Sequence, residues 1–96
     1  MRARVIERDN YTVWFDQYED QTFLHCEVYR YNKTVKFELI NYLKFLLRLR
    51  KSPLYAIHER DDPKHLKFLT MLGFNYLETR VTTTNKVIEI YHKEVR

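Results

Sequence analysis

Ninety-six residues, 45% hydrophobic and 16% aromatic, suffice for one modest core. That apolar share excludes a disordered chain, and the single cysteine, Cys26, excludes an internal disulfide framework and a cysteine-based zinc site. The net charge of +4 arises from seventeen Lys and Arg interleaved with thirteen acids, a pattern of solvated faces rather than of a basic tail.

The chain opens with "MRARVIERDN", which lacks the apolar stretch of a secretory leader. No later stretch reaches the roughly 20 apolar residues that span a bilayer, so a soluble, cytoplasmic protein is expected. "YTVWFDQY" (Tyr11 to Tyr18) and "TFLHCEVYRY" (Thr22 to Tyr31) alternate with period two around "EDQ" and predict an antiparallel hairpin. Leu24, Cys26 and Val28 share the inward face of its second strand. From Thr34 to Arg50 the period becomes helical, with Leu39, Leu43, Leu46 and Leu47 in one stripe. Thr34 is the expected N-cap, and Ser52-Pro53 stops the helix. "PLYAIHE" (Pro53 to Glu59) reads as a strand buried on both faces, Ile57 included. Asp62 and Pro63 then cap and start a second helix, in which Leu66, Leu69 and Leu72 face inward. Gly73, the only glycine, ends it in the left-handed region. "FNYLETRVT" and "KVIEIYHKE" form two closing strands around "TTN", with Ile88 and Ile90 in the core. The expected fold class is mixed α/β (α+β): a mainly antiparallel sheet with two helices packed on it.

"DPKHLKFLTMLGF" gives the order a specific likeness. It resembles the later helix of the GNAT superfamily of N-acyltransferases, written Asn-x-x-small-x-x-aromatic-Tyr-x-x-x-Gly-Phe. Asp62 takes the Asn position, His65 the small one, Phe68 the aromatic one, Leu69 the tyrosine one, and Gly73-Phe74 the Gly-Phe. The likeness covers roughly Thr22 to Glu94 and implies a single, truncated GNAT-like domain over residues 1–96. "LKFLTMLG" also resembles a run in small GNAT-like and internal virion proteins of short-tailed bacteriophages. That implies a host-cell cytoplasm or an assembled particle as the setting.

For intact members the resemblance implies acetyl-CoA-dependent N-acetylation. Such enzymes hold the cofactor's pyrophosphate on the amides of a glycine-rich turn before the long helix, where backbone approach and the helix end both favour an anion. The matching stretch here is "RYNKTVKF", Arg30 to Phe37, which has no glycine. Arg30, Lys33 and Thr34 are its cofactor-binding positions if the enzyme is active. The family's acid tyrosine falls on Leu69, which has no proton to give, and Tyr76 or Tyr91 would have to stand in. About ten residues before the hairpin leave no room for the helices that wall the acceptor site. The resulting expectation is an inactive acyltransferase-like scaffold with no catalytic residue and no cofactor, acetyl-CoA included.

Its function would be contact with a protein partner or with a second copy. Tyr11, Trp14, Tyr18, Tyr29 and Tyr31, with an open strand edge beside them, are the expected contacts. A nucleic-acid-binding alternative rests on Arg30, Lys33, Arg48, Arg50 and Lys51. His25, His58, His65 and His92 show no metal-motif spacing. Glu59 and Asp61 would complete a carboxylate–imidazole cluster, but satisfied or exposed histidines and no metal are expected.

Overall fold

The computed structural model describes residues 2–58 and 62–94. The hairpin comprises β2 (Tyr11–Tyr18) and β3 (Gln21–Val28), paired from Tyr11↔Val28 to Tyr18↔Gln21 around Glu19 and Asp20. A strand not anticipated from the sequence precedes it: β1 (Arg2–Glu7) pairs antiparallel with β2. Its alternation is faint because Val5 and Ile6 are adjacent. Backbone pairing compensates for that, and a register shift between Arg4 and Ile6 accommodates the irregularity. The hairpin edge expected to be open is therefore occupied.

Helix α1 (Lys33–Arg50) begins one residue earlier than expected, with Asn32 rather than Thr34 as N-cap. Asn32 is extended (φ −152°), and its side chain accepts from the Val35 N–H at 2.9 Å, whereas Thr34 lies inside the helix. Lys51, at φ 56°, closes α1 by donating its N–H to the Leu47 carbonyl. β4 (Leu54–His58) follows, then α2 (Pro63–Met71), whose N-cap is Asp62 as expected. Gly73 has φ 90°, and its N–H bonds to Thr70 while that of Phe74 bonds to Leu69. β5 (Asn75–Val81) and β6 (Val87–Lys93) complete the chain.

The sheet order is β1-β2-β3-β4-β6-β5. β3 and β4 are parallel neighbours, while β6 is antiparallel to both β4 and β5. Both crossovers, β3–α1–β4 and β4–α2–β5, thus join parallel strands and step the same way across the sheet. A common hand puts both helices on one face. Between helices and sheet lies the core: Tyr11, Val13 and Leu24 beneath Val35, Leu39, Leu43 and Leu47 of α1, with Leu69 and Leu72 of α2 alongside. Each fully buried leucine contributes about 1.5–3 kcal/mol of transfer free energy. Cys26, Val28, Leu46, Leu66 and Ile88, all expected in the core, are only half-buried. Ile57, expected in the core, is 45% exposed because its position in β4 points to the face opposite the helices. Among the described residues no helix covers that face, and none is long and apolar enough to cross a membrane.

Candidate functional site

β3 and β4 share one register pair, Phe23↔Tyr55, at their amino-terminal ends. Beyond it the two strands diverge, opening a cleft of about 80 Å³ between their carboxyl ends. Leu24, Cys26, Phe68 and Leu69 line the side toward the helices, and Phe23, His25 and Ile57 the opposite side. The cleft therefore runs through the sheet at the point where the connections leave it by α1 and α2. Burial pushes the Cys26 thiol up to about 12, so the wall it forms is neutral and non-nucleophilic at physiological pH. Leu69, 3% exposed, fills the place where the resemblance would need a tyrosine.

His65 lines the cleft from α2 and meets His58 of β4, Nδ1 to Nδ1, at 3.2 Å with the rings stacked 24° apart. His58 is 2% exposed, and its Nε2 lies 4.0 Å from a Glu89 carboxylate oxygen. The two histidines have no metal-motif spacing in sequence and lie on different elements; the β4–α2 crossover brings them together. Glu59 and Asp61, the acids suggested beside them, lie outside the described residues. No group of three or more His, Cys, Asp or Glu suited to a metal occurs among the described residues. Tyr91 packs edge-on against His58 at 5.7 Å and against Tyr76 at 5.8 Å, and burial raises its phenol pKa. The Tyr76 hydroxyl is 2.6 Å from Thr79 Oγ1. Neither tyrosine is among the residues that line the cleft.

The segment before α1 is tied back, with the N–H groups of Tyr29 and Arg30 both bonding to the Asn10 carbonyl. Arg30, Lys33 and Thr34 are exposed around the helix start, where Asn32 holds the Val35 amide.

This geometry has known counterparts. No family model matches the sequence, and no curated protein matches it. Among solved structures, ribosomal-protein-S5-alanine acetyltransferase from Vibrio fischeri superposes with a TM-score of 0.69 at 11% identity, over 88% of this chain and 53% of that one. An N-acetyltransferase from Staphylococcus aureus Mu50 gives 0.66 at 16% identity, over 88% and 59%. The fold is GNAT-like. The chain spans little more than half the length of these acetyltransferases.

The expected partner contacts differ in exposure and position. Tyr11 is fully buried, a correction that follows from its place on the helix-facing side of β2. Its hydroxyl donates to Glu38 Oε1 of α1 at 3.0 Å, and burial first, then that bond, raises its pKa. Trp14 is half-buried on the helix-free face, 5.5 Å from the His25 ring and beneath Arg2 at 5.6 Å. Tyr18, Tyr29 and Tyr31 are exposed, but Tyr18 lies at the far end of the hairpin, roughly 23 Å from the other two at 3.3 Å per residue. Tyr29 OH pairs with Thr12 Oγ1.

The basic set is likewise divided. Lys33 and Arg48 are separated by roughly 22 Å along α1. Arg50, offered as a nucleic-acid contact, is instead half-buried, because it donates to Thr22 Oγ1 at 2.8 Å and lies 5.3 Å over the Phe15 ring. Lys51 supplies the left-handed close of α1. Sequence reasoning passed over Phe37 and Phe45, 63% and 60% exposed on the outside of α1. Their signal was present, since both fall off the leucine stripe.

Proposed function

We propose that this chain is an acyltransferase-like scaffold that acts by binding a protein partner and does not transfer acyl groups. The size of the β3–β4 cleft carries this reading. About 80 Å³ is well short of the roughly 300–1,000 Å³ of sites that enclose a small-molecule ligand. Its lining supports the same reading, with a leucine at the acid position and a thiol held protonated by burial. The partner would meet the helix-free sheet face around Trp14 and Ile57, with Tyr29 and Tyr31 at its margin. A bacteriophage particle or a host protein is the setting implied by the resemblance of "LKFLTMLG".

The second reading, an acetyl-CoA-dependent N-acetyltransferase, draws on the divergence of β3 and β4 and on the stacked His58–His65 pair beside the cleft. Titration calorimetry with acetyl-CoA separates the two. No heat of binding is expected at ligand concentrations up to about 1 mM, where even a −4 kcal/mol interaction would register. A dissociation constant in the low micromolar range would establish the second reading. Lys33→Ala and Thr34→Ala would then be the first variants to examine.

A further inference from the structure

We propose that the outward face of α1, with the cleft beside it, binds single-stranded nucleic acid. The proposal is independent of whether the β3–β4 cleft is catalytic, because it concerns α1 from Phe37 onward and the opposite end of the sheet.

The core side of α1 is occupied by Val35, Leu39, Leu43 and Leu47. At 100° per residue, Phe37, Lys44 and Arg48 fall within roughly 40° of one another on the other side, with Phe45 and Leu49 roughly 60–100° round from Arg48. All five are exposed, the three apolar ones by 60–69%. Across its length α1 carries Lys33, Lys36, Lys44, Arg48 and Arg50 against one acid, Glu38, which is half-buried roughly 80° round from Arg48 and accepts from the Tyr11 hydroxyl.

Alongside this face runs an open cleft of about 720 Å³, lined by Lys44, Arg48, Asn75, His92, Lys93 and Glu94 among others. Lys93 is positioned there by donating from Nζ to the Leu72 carbonyl at 2.8 Å, across Gly73. A β-carbon on Gly73 would lie 2.5 Å from that nitrogen, so a side chain there would displace the end of Lys93.

Cations interleaved with single exposed aromatic rings, next to a basic groove, match the chemistry of a single strand. Phosphates take the charges, and unpaired bases stack on the rings. A lipid surface fits poorly. Lys44 and Arg48 instead line an open groove together with Lys93, which a single strand can follow and a flat bilayer surface cannot.

Fluorescence anisotropy with labelled oligo-dT of about twenty nucleotides tests the proposal. Binding is expected with Kd of roughly 10⁻⁴ to 10⁻⁶ M. Two phosphate contacts, at about −0.7 in log–log slope each, predict a roughly sevenfold loss between about 50 and about 200 mM salt. Lys44→Ala with Arg48→Ala should remove that salt-dependent component. Phe45→Ala should weaken binding by about fivefold or more at an unchanged salt slope, since stacking contributes about 1–3 kcal/mol per base. All three side chains are exposed, so circular dichroism should show the variants folded. No binding at about 1 mM protein overturns the proposal, as does binding unaffected by these substitutions. Equal displacement by poly-glutamate, or preferential binding to vesicles containing anionic lipid, also overturns it in favour of an acidic protein or a membrane.

Discussion

Cys26 shows how burial sets the chemistry of a single side chain. Its sulfur lies on the helix-facing side of β3, and desolvation alone holds the thiol up to about 12 against an ordinary 9. Above about pH 9 the unfolded chain therefore releases a proton that the folded chain keeps. The unfolded state then binds fewer protons, and stability falls as pH rises. The contribution is complete below about pH 9 and is lost on the way to about pH 12, at up to about 1.4 kcal/mol per pH unit. Tyr11, also raised by burial, adds a second loss beginning near pH 10. Urea unfolding between about pH 8 and about pH 11 should show a steepening decline, shallower in Cys26→Ala. An identical slope in that variant would mean that the thiol is solvated.

Each helix is bounded at its start by a side chain that accepts backbone amides and at its end by a left-handed backbone turn. Asn32 and Asp62 accept the first-turn amides, and Lys51 and Gly73 take the left-handed conformations that close the other ends. Between these limits α2 is only nine residues long, too short to be stable by propensity, so packing must hold it. Leu69 is its one fully buried residue within the helix, set against β3 and the cleft. Leu69→Ala should cost about 2–5 kcal/mol in urea denaturation, the range for deleting a leucine from a core that relaxes little. A loss below about 0.5 kcal/mol would show that α2 is not anchored there.

Across the whole molecule, the sheet consists of two three-stranded halves, β1-β2-β3 and β4-β6-β5, joined at one register pair. The helices bridge the halves over one face, so apolar packing rather than strand pairing holds them together. Amides of β3 that point toward β4 beyond Phe23 should exchange with deuterium faster than those paired to β2. Uniform protection on both edges of β3, measured by NMR, would show that the strands close up in solution. Both outer strands carry a register irregularity, in β1 between Arg4 and Ile6 and in β5 between Tyr76 and Glu78. Such kinks discourage edge-to-edge pairing, which favours faces over edges as contact surfaces.

What the amino-acid order determined by itself is local. The hairpin alternation, the leucine stripe of α1, the Asp62-Pro63 start and the positive φ at Gly73 are each dictated by a few neighbouring residues, and all are present. The Gly-Phe frame extended that reading to the fold, because a short motif fixes the register of a helix against its neighbouring strands. Decisions made between distant segments were not legible. Which aromatics are buried depended on α1 supplying Glu38 to Tyr11 across 27 residues. The pairing of β1, the His58–His65 contact and the meeting of Lys44 and Arg48 with Lys93 depended on how strands and crossovers are stacked. The physical reason is that periodicity records which side of an element turns inward, whereas a site is made by what the opposite element presents there.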